Sequence, residues 1–179
     1  MEMNKEGMEL RELLDGRQYT KLRQVLAELN DADIAAFMEE LEDEEILKVF
    51  RILPKDLAAD VFSYLEVESQ HTIIRSLSDR EAAGVIDNLM ADDAVDFLEE
   101  MPANVVDKLL ANARPDTRQA INQLLRYPED SAGSIMTVEY VSFKENMTVE
   151  QAIQHIREVG LDSETINICY VLDPQRKLV

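Results

Sequence analysis

Three aspartates have the spacing of a candidate cation site. Asp92 and Asp96 lie four residues apart, so on a helix they stand one turn apart on one face. Asp60 and Asp96 occupy the same position of a twelve-residue repeat. Two carboxylates about 4–6 Å apart repel each other by roughly 1 kcal/mol in water and more at a lower dielectric, and a divalent cation relieves that repulsion. The same spacing is also typical of a solvated acidic helix face, so the pattern by itself leaves both interpretations open.

The charge balance fits a cation better than an anion as the ligand. The chain has 37 acidic and 18 basic residues and a net charge of -19, and most of the excess lies before residue 128. Such a surface repels phosphate backbones, so no nucleic-acid partner is expected. Acidic excess also keeps ordinary cytosolic domains soluble, and charge alone does not separate the two explanations.

Sequence signals of catalysis are missing. The chain has no nucleophile elbow, phosphate-binding glycine loop, Cys-x-x-Cys pair or calcium loop, so we expect no enzyme. His71 and His155 each lack a second histidine four residues on, which argues against a transition-metal site. The single cysteine, Cys169, cannot form an intramolecular disulfide and is predicted to be a small buried strand residue. No apolar window reaches the length of a membrane span and no signal peptide is recognisable, so we expect a soluble cytosolic piece.

A twelve-residue repeat must position these carboxylates. Apolar residues recur at every twelfth position, and the fifth, eighth and ninth positions of each unit are also mostly apolar, which is the spacing of one helical face. Capping residues or prolines begin most units, at Asn30, Glu42, Pro54, Ser78 and Pro102. The recurring residues are Leu29, Leu41, Leu53, Leu65, Leu77, Leu89 and Met101.

The repeat predicts a mainly α fold, a right- or left-handed superhelical α-solenoid in which successive short helices stack on their neighbours. Residues 8–15, 20–29 and 117–125 read as further helices, the first two joined by a turn at Gly16 and Arg17.

A second, incomplete α+β segment follows the repeat. The periodicity stops between Arg126 and Ser134, so the predicted division is a helical domain at 1–127, a linker at 128–137 and a smaller segment at 138–179. That segment reads as a strand at 140–143, a helix at 148–159 opening on a capping box at Thr148, a buried strand at 166–172 and a turn into a third strand. We expect this piece to be truncated or to depend on a partner, because its last strand has an unpaired edge.

Two stretches resemble the MgtE family of magnesium transporters. They are residues 52–65 and the Tyr-Pro-Glu-Asp-Ser-Ala-Gly-Ser-Ile-Met-Thr run from Tyr127 to Thr137, and the likeness continues to Asp173. The second stretch is the more specific, since in that family it joins the helical N domain to the first of two cystathionine-β-synthase (CBS) motifs. The resemblance implies a homodimeric transporter whose membrane domain and second CBS motif lie outside this chain.

The resemblance also implies a function and a set of ligands. The chain would lie at the cytoplasmic face of the membrane, bind Mg2+ at acidic interfaces between domains and close the pore when internal magnesium is plentiful. By position, Asp60, Asp92 and Asp96 match family carboxylates and Ser134 falls where a main-chain carbonyl can bind the ion. Asp60 is often glutamate in the family, so its shorter side chain has less reach here. Asp93 is a weaker candidate because it points to another face.

Two other functions stay open. An α-solenoid often presents a groove to a partner protein, and the helical part also resembles flagellar motor-switch domains. Against this, the seventh repeat position, which holds Asp60 and Asp96, is small or charged rather than apolar. The other alternative is an adenine-nucleotide sensor, because many paired CBS motifs bind adenosine phosphates.

Overall fold

The computed structural model describes residues 5–128 and 131–179 and contains eleven α-helices and a two-stranded sheet in this part of the chain. The described residues form two compact units, the first up to Leu89 together with Asp96–Arg118, the second Met90–Val95 with Gln119–Val179. The helices are α1 Lys5–Asp15, α2 Tyr19–Leu26, α3 Asp31–Glu39, α4 Asp43–Ile52, α5 Lys55–Ser63, α6 Val67–Ser76, α7 Asp79–Ile86, α8 Ala91–Glu99, α9 Ala103–Asn112, α10 Pro115–Leu124 and α11 Val149–Val159. The strands are β1 Tyr140–Lys144 and β2 Thr165–Leu172, with a 3-10 turn at Gly160–Asp162.

The predicted repeat is confirmed by the burial of its apolar positions. Val49, Val61 and Phe62 are essentially inaccessible to solvent, and the ring of Phe62 packs edge-on against Phe97 with centroids 5.1 Å apart. The polar exception is Gln70, which stands at an apolar position and is buried. Its side-chain amide nitrogen donates a 2.8 Å hydrogen bond to the carbonyl oxygen of Phe62. This bond offsets the cost of burying the polar side chain.

Alternate helices of the repeat make the main contacts in the first unit. The pairs α3 and α5, α4 and α6, α5 and α7, and α7 and α9 pack together, and α3 also packs on α4. The prediction that each helix stacks on its immediate neighbours is therefore incomplete. About nine residues of each twelve are helical and only about three make the link, so consecutive helices meet at their ends while alternate helices lie side by side.

Local caps start several of these helices as predicted. The side chain of Asn30 accepts a 3.0 Å hydrogen bond from the amide of Ala32, and Ser78 forms a capping box with Glu81. Pro54 and Pro102 occupy the N-cap position, one residue before the first helical residue. Proline is tolerated at a helix start because the first amides have no partner inside the helix.

At the end of α1 the residue with a left-handed backbone is Arg17 and not the adjacent Gly16. The amide of Gln18 donates to the carbonyl of Leu13 and that of Arg17 to Leu14, which is the Schellman pattern of a helix C-terminus. This pattern requires a left-handed residue after the helix, and Arg17 adopts it with φ 53°. The predicted turn is confirmed, with an arginine where a glycine would be less strained.

The β-α-β order predicted for the second unit is confirmed. Strands β1 and β2 are parallel, and Thr148 caps α11 between them in a reciprocal box with Gln151. The chain then turns at residues 173–176, and Leu178 makes an antiparallel bridge to Leu172. None of the described helices has the length and apolarity needed to cross a bilayer.

The prediction that residues 166–172 form a buried strand is wrong. Ile166 and Ile168 of β2 are 51% and 58% exposed, and Cys169 is only partly covered. The physical reason is that the described sheet has two strands, and the single helix that follows β1 can cover at most one of its faces. An apolar run indicates a strand but does not state how many layers cover it.

Candidate functional site

Asp60 lies on α5 in a locally acidic environment. Its pKa is raised above the ordinary carboxyl value, first because neighbouring atoms partly desolvate the carboxylate and then because Asp31 and Asp56 are negatively charged. Asp31 is on α3, which packs against α5. The residue as a whole remains exposed, so a hydrated cation can reach it. A positive ion near Asp60 would lower the cost of its charge.

Asp92 and Asp96 both lie on α8, one turn apart, as predicted. Asp92 is in the first turn and half-buried, and its Oδ1 atom is buried with no hydrogen-bond partner in the described part of the chain. Asp96 is exposed. A buried polar atom left without a partner costs about 1–3 kcal/mol, and more when the group is charged. Asp92 is thus the one of the three aspartates whose surroundings most favour a further electrostatic partner.

Ser134 lies in the turn segment between α10 and β1. Its hydroxyl and its amide both donate to the carbonyl oxygen of Ser131, at 2.9 and 3.1 Å. Neither hydrogen bond uses the carbonyl oxygen of Ser134, which is the atom that the family resemblance proposes as an ion ligand. Whether that carbonyl binds an ion stays a prediction.

The same turn depends on a close contact between Tyr127 and Gly133. A Cβ atom placed on Gly133 would lie 2.3 Å from Cγ and Cδ1 of the Tyr127 ring. Only glycine therefore fits beneath the ring in this arrangement. The Tyr-to-Gly spacing of the run that begins at Tyr127 has a packing cause, since the ring lies directly against the backbone of Gly133.

Glu139 was missed by the sequence analysis. Its Oε1 atom accepts a 3.1 Å hydrogen bond from the amide of Ala91, the first residue of α8, and Oε2 accepts from the hydroxyl of Thr137 at 3.0 Å and the amide of Val138 at 3.2 Å. A carboxylate from just before β1 therefore caps the helix that carries Asp92. The available signal was Met90, which stands where other repeat units have a capping residue or proline.

The described residues do not contain three His, Cys, Asp or Glu side chains grouped closely enough to hold a metal ion. Asp92 and Asp96 share α8, whereas Asp60 is on α5 and Ser134 is in the turn segment. The donor types nevertheless fit magnesium, which binds carboxylate and carbonyl oxygens and usually keeps several of its water ligands. A site with few protein ligands is therefore chemically reasonable for this ion.

The second unit also contains a cleft of about 1120 Å³ beside the sheet. Lys144, His155 and Arg176 line it, and the imidazole of His155 lies edge-on to Phe143 with ring centroids 6.3 Å apart. The guanidinium of Arg176 donates a 3.1 Å hydrogen bond to the hydroxyl of Tyr140. Glu145 and Asp173 line the same cleft, so both positive and negative side chains surround the ring.

An acidic helical repeat followed by a β-α-β segment also occurs in the soluble part of a magnesium transporter of known structure. Residues 29–130 match the family model of the MgtE intracellular N domain. The chain therefore belongs to the MgtE family of magnesium transporters.

Individual relatives agree with this assignment. The chain is 36% identical over 176 residues to the magnesium transporter MgtE of Thermus thermophilus, covering 96% of this chain and 39% of that protein. It is 29% identical over 167 residues to the magnesium transporter MgtE of Bacillus subtilis, covering 93% of this chain and 37% of that protein. The chain thus spans about two fifths of the length of these relatives. Their named activity is transport, which is not enzymatic.

Two solved structures share the fold. The soluble part of a magnesium transporter superposes with a TM-score of 0.91 at 27% identity, covering 99% of this chain and 70% of that one. The cytosolic domain of the Mg2+ channel MgtE in complex with ATP superposes with a TM-score of 0.82 at 35% identity, covering 96% of this chain and 71% of that one. The predicted fold class and the family resemblance are confirmed.

Proposed function

We propose that this chain is the cytosolic, magnesium-sensing region of a homodimeric magnesium transporter. Asp60, Asp92, Asp96 and the main-chain carbonyl of Ser134 are the proposed Mg2+ ligands, completed by water and by parts of the protein outside this chain. The proposed division is an N domain at 1–127, a linker at 128–137 and a partial CBS motif at 138–179. The sensor works at the cytoplasmic face of the membrane, and its partners are the transporter's own membrane domain and second CBS motif.

The observation that carries this proposal is the buried carboxylate oxygen of Asp92, which has no hydrogen-bond partner among the residues that the structure describes. In a member of a magnesium-transporter family, a divalent cation is the natural group to neutralise it. The raised pKa of Asp60 supports the same conclusion, because partial desolvation and two nearby carboxylates make its charge unfavourable without a cation.

Gating follows from differential binding. Cations held between carboxylates of different domains stabilise the arrangement in which those carboxylates are close, and losing the cations favours separation. A ligand shifts such an equilibrium only by the difference in its affinity for the two arrangements, so a tenfold preference corresponds to about 1.4 kcal/mol. The transporter's pore would close when the cation-bound arrangement is populated.

The test is a magnesium titration at fixed ionic strength that follows protease cleavage between Arg126 and Met136. The test variant carries Asp60→Asn, Asp92→Asn and Asp96→Asn. The matched control removes the same charge from exposed carboxylates elsewhere, through Glu9→Gln, Glu28→Gln and Glu40→Gln.

The expected result is protection at low-millimolar magnesium in the wild type and the control variant, and its loss in the test variant. Sodium at equal ionic strength should give no protection. Equal protection by sodium, or a test variant that responds like the control, would show that these carboxylates form only a solvated acidic surface.

A second candidate function is adenine-nucleotide binding, favoured by the ATP complex of the similar cytosolic domain and by the cleft that Lys144 and Arg176 help to line. Isothermal titration with ATP, with and without magnesium, tests it on a Lys144→Ala, Arg176→Ala variant. Lys177→Ala is the control, because Lys177 does not line the cleft. Weaker ATP binding in the cleft variant alone supports the nucleotide role, and equal binding in all three proteins contradicts it.

A further inference from the structure

The residue before α8 offers no side-chain oxygen for a local cap. Asn30 and Ser78 cap α3 and α7 locally with their side chains. The residues before α5, α6 and α9 make no side-chain cap; they are Pro54, Glu66 and Pro102. Before α8 the corresponding residue is Met90, whose thioether is a poor acceptor. Its carbonyl still accepts from the amide of Ala94, so the helix begins there normally. The amide of Ala91, the first of α8, has an acceptor neither inside the helix nor in the Met90 side chain.

Glu139 supplies that acceptor from 48 residues further along the chain. One of its carboxylate oxygens binds the Ala91 amide and the other is fixed by two donors, the Thr137 hydroxyl and the Val138 amide. Its own carbonyl accepts a 2.9 Å hydrogen bond from the amide of Glu164, the residue just before β2. Glu139 is thus held on both its side chain and its main chain, and it is half-buried.

A carboxylate from a distant residue also caps α6, a helix on which no ion ligand is proposed. Glu39 accepts 2.8 Å hydrogen bonds from the amide of Glu66 and the hydroxyl of Ser69. Such a cap satisfies helix amides and interacts favourably with the positive end of the helix dipole. At α8 the capped amide belongs to the residue directly before Asp92, whose buried oxygen has no partner in the described chain.

We infer that Glu139 is a positioning residue for the proposed magnesium site on α8. This inference rests on the proposed function. Glu139 fixes the first turn of α8, and with it the direction of the Asp92 carboxylate, relative to the segment that leads into β1. It also places a negative charge at the amide of Ala91, the residue directly before Asp92. Both effects favour a cation at Asp92.

The two effects separate in two substitutions. Glu139→Gln keeps an acceptor for the Ala91 amide and removes the charge, whereas Glu139→Ala removes both. Glu145→Gln is the matched control, because Glu145 is an exposed carboxylate in the same unit. Thermal unfolding in chelator checks that every variant is folded, and Glu139→Gln carries the test if Glu139→Ala is not.

Two measurements are made on each protein: hydrogen exchange of the Ala91 amide in chelator, and the magnesium concentration that half-protects the cleavage sites between Arg126 and Met136. We expect Ala91 to exchange about tenfold faster in Glu139→Ala, since a charge-assisted hydrogen bond is lost. The magnesium midpoint should rise about tenfold in Glu139→Ala and about threefold in Glu139→Gln, and should stay at the wild-type value in Glu145→Gln.

The outcomes separate this inference from the proposed function. A wild-type chain that shows no magnesium-specific protection refutes the proposed function and the inference with it. A wild-type response combined with midpoints in both Glu139 variants that equal the Glu145→Gln value refutes the inference alone. Faster Ala91 exchange with an unchanged magnesium midpoint assigns Glu139 to helix capping only, and that result also refutes the positioning role.

Discussion

Replacing Gly133 by alanine should open the turn between α10 and β1. A Cβ on this residue would lie 2.3 Å from two ring atoms of Tyr127. Ordinary carbon contacts are about 3.5–4.0 Å, so the ring must move by more than about 1 Å. The atoms involved, Cγ and Cδ1, are at the near end of the side chain, which cannot relieve the overlap by a small terminal rotation.

The cost follows from how Tyr127 can respond. Its side chain is 40% exposed, so the ring can swing outward and lose the contacts that cover the rest of it. Overpacking of this kind costs about 1–3 kcal/mol. Converted to an equilibrium, that is about a 5- to 150-fold larger population of the open turn.

Gly84→Ala is the matched control, because a Cβ there has no atom within 4 Å and Gly84 lies inside α7. It should stabilise the helical unit by about 0.5–1 kcal/mol, as alanine has the better helix propensity.

Protease cleavage between Arg126 and Met136 under native conditions measures the opening. Cleavage tracks the population of the open form when opening and closing are fast relative to cutting. Gly133→Ala should be cut about 5- to 150-fold faster than wild type, and Gly84→Ala at the wild-type rate. Adding Tyr127→Ala should bring the double variant to the rate of Tyr127→Ala alone, because the overlap is gone. The packing argument is refuted if Gly133→Ala is cut at the wild-type rate, or if the double variant is cut faster than Tyr127→Ala alone.

Three further predictions concern the helical unit. Phe62→Ala should lower the free energy of unfolding by about 3–5 kcal/mol, because Phe62 is fully buried. Tyr64→Ala, at an exposed position, should change it by less than about 0.5 kcal/mol. Urea denaturation followed by circular dichroism compares the two variants, and equal losses would contradict the core assignment. Arg17→Gly should stabilise the chain by about 1 kcal/mol in the same assay, since glycine adopts the left-handed conformation without strain, and a loss of stability would argue against that backbone. In chelator, Asp60→Asn should be more stable than wild type at pH 7, because the raised pKa of Asp60 means that its ionised form is unfavourable in the folded state. This difference should shrink as the pH falls through the raised pKa and vanish below the ordinary carboxyl value, and urea denaturation that shows a pH-independent difference would contradict the sign.

Sequence periodicity was enough to predict the repeat helices because the apolar spacing fixes which face of each short helix is buried. It also identified the capping box at Thr148 and the family, through the run that begins at Tyr127. It failed for β2, where Ile166 and Ile168 have the composition of buried residues but remain exposed. Burial of a strand depends on how many layers cover it, and the local sequence does not contain that information.

The sequence by itself determined which residues of each unit face inward, the helix starts with local caps, and the placement of Asp92 and Asp96 one turn apart on one helix. These properties depend on neighbours within about one helical turn, whose spacing the chain fixes directly. Tertiary structure alone decided that alternate helices pack together, that Gly133 lies under the Tyr127 ring and that Glu139 caps α8 from 48 residues away. Such contacts join residues whose proximity depends on the path of the whole chain, so only the folded structure brings a distant carboxylate to the helix that carries Asp92.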